Sequence, residues 1–143
     1  MKYDDLINSR QIRREKVSTV EIQQALELAE RDLKTARTLM NQDWDWSFAI
    51  AYNAVLQASR AYMFSQGFRP ASHESHKNTF AFMRMAISPD YEDMITYFDR
   101  MRVKRNQTIY DMAGAVTETE AWSIVEKATS FVAMIHDALG KVD

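Results

Sequence analysis

The chain contains no cysteine, three glycines and two prolines in 143 residues. Without cysteine it can form no disulfide, thiolate metal site or cysteine nucleophile. So few chain breakers exclude a turn-dense all-β architecture and leave room for long helices. No uninterrupted apolar run approaches the ~18 residues that a membrane span needs. The charged N-terminus lacks an apolar signal segment, so a cytoplasmic protein is expected. A net charge of −2 argues against a protein that coats a DNA duplex. What the chain does have is 46% hydrophobic residues. That suffices for one domain with a real core, though with enough surface that a second subunit would help to cover it.

Apolar residues recur with helical spacing almost everywhere. Residues 1–18 read as a polar, irregular segment with Arg10, Arg13, Arg14 and Lys16 near its end, and 19–143 as the helical domain. Ser18 to Glu21 is a capping box, after which Ile22, Leu26, Ala29, Leu33, Ala36 and Met40 repeat at four-three spacing up to Asn41. A second helix, starting after Asp43 or Asp45, is apolar on most faces and should lie at the centre, until Gly67 supplies a left-handed stop and Pro70 forbids continuation. Ser72 can cap a shorter third helix with Phe80, Met83 and Ile87 inward. Ser88-Pro89-Asp90 reads as the start of a fourth. Thr117 to Glu120 is a second capping box. Trp122, Val125, Thr129, Val132, His136 and Leu139 stripe the last helix up to Gly140. No strand alternation is visible. The expected fold is all-α, an up-and-down helical bundle of about five helices.

The pattern breaks at Arg102-Val-Lys-Arg105-Asn106-Gln-Thr-Ile-Tyr110-Asp111. Met94, Phe98 and Met101 form a stripe, and Arg105 falls where the next core residue belongs. Arg102, Asn106 and Tyr110 flank it at spacings of four. A guanidinium on a seam must be paired or face a wet cleft, because an unpaired buried charge is costly. The bland alternative is a helix end where the stripe has lapsed and the charges are solvated. Residues 99–105 carry four cations against the single acid Asp99, whereas the chain from Thr117 onward has five acids against two lysines. A local basic patch on a nearly neutral body suits a small anionic target.

Other candidates are weaker. His73 and His76, three apart at an expected helix start, allow metal ligation or an imidazole for the basic site, but no further ligands at zinc spacing accompany them. Capping or packing is the ordinary role of such residues. His136, on an apolar stripe, reads as a hydrogen-bonded core or interface residue. Trp44 and Trp46 beside Asp43 and Asp45 allow base stacking, though one ring packing over the loop is the simpler role. The nine methionines read as core and interface filling.

Several segments in order resemble the HEPN domain family, helical bundles often encoded beside a minimal nucleotidyltransferase in prokaryotes. They are Ala29-Glu30-Arg31-Asp32-Leu33, Ala51-Tyr52-Asn53-Ala54, Ala58-Ser59-Arg60-Ala61, Gly67-Phe68-Arg69-Pro70, Ser75-His76-Lys77, and Arg102 to Asn106 with Tyr110-Asp111. The resemblance implies a homodimer with a site where the subunits meet. It also implies a nucleotidyltransferase partner in a toxin–antitoxin-type module, and an element for metal-independent RNA cleavage in which an Arg is followed by four to six residues, the first often Asn, and then by His. Arg105 and Asn106 match that element, and Tyr110 stands where the histidine belongs. The implied catalytic residues are thus Arg105, Asn106 and Tyr110, with Arg102, Arg105, Asn106, Tyr110 and Asp111 binding RNA or nucleotide and no metal or cofactor. Tyrosine, with a reference pKa near 10 against about 6.5 for histidine, is a poor base at neutrality. A non-catalytic nucleotide-binding partner of the nucleotidyltransferase therefore stands beside the endoribonuclease, with the Tyr110 phenol as a group that partner would modify. The absence of a Gly-rich phosphate loop or nucleophile elbow excludes the chain from being the nucleotidyltransferase itself.

Overall fold

The computed structural model describes residues 1–87, 89–110 and 113–140, and the side chains of all of these except 109 and 110. Two long helices form its spine, α2 (Thr19–Leu39) and α3 (Trp44–Ser65). Ser18 caps α2 by accepting from the Glu21 amide at 3.2 Å. Glu21 does not close the expected box, because its carboxylate takes Arg69 at 2.8 Å instead. Asp43, not Asp45, caps α3, accepting from the Trp46 amide at 3.1 Å. Asp45 reaches across the chain to the amides of Gly114 at 2.6 Å and Val116 at 3.1 Å. Both lie in the loop before the last helix, which that carboxylate holds against the spine.

α3 is the central helix, as its apolar circumference predicts. Ala51, Ala54, Ala58 and Ala61 are fully buried along it, and α2, which packs most extensively on α3, buries Ala29 and Ala36. Such small side chains let helices approach closely and fill the space between them without voids. α4 (Ser75–Ala86), α5 (Glu92–Tyr110) and α6 (Glu118–Gly140) also pack on α3. The second capping box is closed in both directions. The Thr117 amide donates to Glu120 at 3.0 Å and the Glu120 amide to Thr117 at 3.1 Å. α6 buries Ala121, Ile124, Val125, Ala128, Phe131, Val132 and Ile135. Its core line runs one residue ahead of the expected stripe at its start, and Trp122 is exposed.

The N-terminal segment is not irregular. Its short helix α1 (Asp4–Asn8) is followed by strand β1 (Ile12–Arg14), antiparallel to β2 (Phe68–Pro70), with Arg13 opposite Arg69. Leu6 and Ile12 are buried, and the Tyr3 ring stacks on Phe82 at 4.6 Å. Arg69 ties the segment down by pairing with both Glu15 and Glu21. This small sheet escaped the sequence because three residues per strand are too few to show alternation. Gly67 is left-handed as expected, with φ of 82°. α4 begins three residues after Ser72, behind a left-handed Glu74. Pro89–Tyr91 form a single 3-10 turn before α5, and Ser88 lies outside the described residues. No described helix is long and apolar enough to cross a membrane.

Candidate functional site

Ile95 and Phe98 are completely buried and anchor α5 against the bundle, with Phe98 edge-on to Phe131 at 5.4 Å. Three- and four-residue steps from them lead to Arg102 and Arg105. The seam of α5 is therefore Ile95, Phe98, Arg102, Arg105, one step from the expected Met94–Phe98–Met101 line, whose methionines are only partly buried. Both arginines, not Arg105 alone, stand on the inward line. Both act electrostatically on Tyr52 of α3 and on His76 in the first turn of α4, and Arg60 of α3 acts on the same two groups.

The cations of α5 fare differently. Arg102 Nε donates to Asp99 Oδ1 at 3.1 Å, and Asp99 is also 4.0 Å from Arg84. Lys104 crosses to Glu120 of α6 at 3.0 Å. Arg105 meets no acid among the described residues. Its Nη1 makes only a long contact of 3.4 Å to the exposed Asn106 Oδ1, its guanidinium lies 5.9 Å from the Tyr52 ring centre, and its Nε is fully covered without an acceptor. Arg60, half-buried, also has no hydrogen bond or ion pair among the described residues. Burial lowers its pKa, opposed by the nearby Tyr52, yet a guanidinium remains charged in any ordinary protein setting. The basic stretch of α5 therefore keeps one half-buried guanidinium without an acid among the described residues, Arg105, which Arg60 joins from α3, while Arg102 is partly neutralised and Arg100 is exposed.

The remaining members are Tyr52 and His76. Tyr52 is fully buried, and its hydroxyl lies 3.2 Å from His76 Nδ1. Burial raises the pKa of the phenol, outweighing the nearby arginines that favour its ionised form. Burial, followed by Arg105, Arg60 and Arg102, holds the imidazole down at about 4. Around neutrality the site thus offers guanidinium donors, a neutral imidazole and a neutral phenol. Such a set attracts an anion, and a guanidinium can hold two of its oxygens at once.

Of the residues singled out in the sequence, the structure brings together Arg102, Arg105 and Asn106. The side chain of Tyr110 and the whole of Asp111 lie outside the described residues. Tyr52 and Arg60 were missed as site members. A cation at position 60 in an otherwise apolar helix was the available signal. His76 enters the site, but His73 does not share its helical face. His73 precedes the helix and its carbonyl accepts from Asn78 Nδ2 at 2.7 Å. Among the described residues no group of three histidine or acidic side chains could hold a metal ion. His136 is exposed, not in the core, and contacts Glu30 at 2.8 Å. Trp44 and Trp46 are about half exposed, Trp44 donating to the Met40 carbonyl at 3.1 Å.

No curated protein matches the chain. The family model for the HEPN domain matches residues 22–138, which spans most of α2 through most of α6, including every member of the cluster described above. The chain belongs to the HEPN domain family.

Proposed function

We propose that this HEPN protein binds a phosphate-bearing ligand, RNA or a nucleotide, in the cleft between α3, α4 and α5, as one component of a toxin–antitoxin-type module with a minimal nucleotidyltransferase. The observation that carries this reading is that Arg60 and Arg105 are half-buried and uncompensated among the described residues. An unpaired guanidinium on a helix seam is costly unless a ligand supplies the opposite charge. The family is often nuclease- or toxin-related and its members commonly dimerise. In the proposed homodimer a two-fold axis sets each Arg105 near Asn106 and Tyr110 of the other copy, in the cytoplasm where the nucleotidyltransferase works. Light scattering at micromolar concentration is expected to give the dimer mass. Arg105→Lys keeps the charge but loses the planar fork, so calorimetry is expected to show weaker binding of AMP and of a short RNA. Unchanged affinity in a folded variant would move the site elsewhere.

A second reading, a metal-independent endoribonuclease, draws on His76, which brings an imidazole beside Arg105 although Tyr110 replaces the motif histidine. It expects cleavage of RNA by purified protein in the presence of a chelator. No cleavage by the wild type and none by Tyr110→His would leave binding alone. Intact mass after incubation with the partner and ATP tests whether Tyr110 is modified.

A further inference from the structure

What His76 can do in the cleft is decided by the hydroxyl hydrogen of Tyr52. That phenol is completely buried, and the one hydrogen-bond partner it has among the described residues is His76 Nδ1, at 3.2 Å. A neutral phenol must place its hydrogen somewhere. If Nδ1 also carried hydrogen, the phenol oxygen could accept it, but the O–H would then point into packing without an acceptor. Leaving a buried donor unmade is what folded proteins avoid. The arrangement that satisfies both groups has Tyr52 O–H donating to an unprotonated Nδ1, with the ring hydrogen on Nε2. Nε2 lies on the far side of the ring from Nδ1 and finds no partner among the described residues.

The charges around the ring favour the same state. The titratable and charged groups that act on it are Tyr52 and Arg60 from α3 and Arg102 and Arg105 from α5; no acid among the described residues contributes. Asp99 acts on Tyr52 and is already engaged by Arg102. A second proton on His76 would add a cation to a cluster that holds two uncompensated ones.

We propose that Tyr52 fixes His76 as a neutral imidazole with its hydrogen on Nε2, and that this N–H donates to the phosphate oxygens held by Arg60 and Arg105. This rests on the reading of the cleft as a phosphate site and deepens it. His76 is then a binding residue and Tyr52 a positioning residue. The imidazole presents a donor to the ligand and keeps its lone pair for Tyr52, so it has nothing with which to take a proton from a ribose 2′-hydroxyl. The class of ligand is a phosphate monoester or diester that is held and not cleaved through this ring.

The test uses the full chain, with AMP and inorganic phosphate as probes. Two-bond nitrogen–proton NMR on labelled wild type is expected to show the Nε2–H tautomer of His76 at neutral pH, and Tyr52→Phe is expected to shift it towards a mixture. By calorimetry, His76→Ala and His76→Asn should bind AMP about tenfold to a hundredfold more weakly, the range for one hydrogen bond to a charged group. His76→Gln, whose amide nitrogen reaches the place of Nε2, should stay within about threefold of the wild type. A protonated Nδ1 in the wild type, or unchanged affinity in a folded His76→Ala, would overturn the proposal. If wild type binds neither probe, the phosphate-site reading fails and takes the donor role with it. The tautomer signal reports separately on Tyr52.

Discussion

Residues 52 and 53 are neighbours on α3, yet they serve two kinds of polar contact. Asn53 turns towards α2 and donates from Nδ2 to Asp32 Oδ2 at 2.8 Å, while Arg31 holds the other carboxylate oxygen at 3.0 Å. Asp32 is buried, and each of its oxygens has a donor. Tyr52 turns towards α4 and α5, where two guanidiniums have no acid and an imidazole nitrogen has no partner among the described residues. The first contact is complete without a ligand, and the second needs one. A matched buried network fixes how two helices meet, whereas an unmatched one holds interaction energy that only a counter-charge releases.

The largest expected effects come from breaking each side in turn. Asn53→Leu leaves Asp32 Oδ2 buried without a donor and should destabilise the fold by about 1–3 kcal/mol, with AMP affinity unchanged. Arg105→Met should do the reverse. It removes an uncompensated charge, so stability holds or rises slightly, while affinity falls about tenfold or more. Urea unfolding and calorimetry on both variants give the four values. Equal losses of stability would erase the distinction between the two sides.

Asp99→Asn sharpens the comparison by moving Arg102 from the matched set to the unmatched one. A partly exposed ion pair within one helix contributes about 0–1 kcal/mol, so the variant should stay folded. With the cluster's nearest carboxylate neutralised, phosphate affinity at low salt should rise severalfold. Added salt should reduce that gain, because the attraction is electrostatic. An affinity that falls would mean that Asp99 positions Arg102 for the ligand.

The last effect is in pH. In the folded protein the His76 pKa is held at about 4, chiefly by burial and then by the three arginines, against about 6.5 in an unfolded chain. Between those values the unfolded chain binds more protons, so stability rises with pH. The contribution of the neutral ring is therefore complete above about 6.5 and is lost as pH falls towards 4. His76→Gln has no such group, and its melting temperature should fall less over that window. Parallel curves for the two proteins would mean that the ring titrates normally.

Much of the bundle was legible because helices announce themselves locally. Ser18, Asp43, Gly67 and the Thr117–Glu120 box mark helix ends through bonds or backbone angles made within a few residues. The α2 stripe and the central place of α3 follow from spacing and apolar circumference. The small sheet and the start of α4 did not show, since β1 finds its partner more than fifty residues away and Glu74 adopts a left-handed angle that its identity does not suggest. Half of the site was legible as well. Arg105 breaks its own stripe, but the true seam runs one step from the line that the spacing suggests, so Arg102 lies on it and not on its flank.

By itself, then, the sequence determined the fold class, the order of the helices and the basic end of α5, because each depends on residues within a turn or two of one another. Only the tertiary structure decided which charges are cancelled. Asp99 and Glu120 engage Arg102 and Lys104, one within a helix and one across helices, while Arg60 arrives from α3 to stand with Arg105. It also decided that His76, and not His73, joins them under Tyr52. Compensation and burial depend on distances between helices, and residue spacing along one helix carries no record of what the next helix brings to meet it.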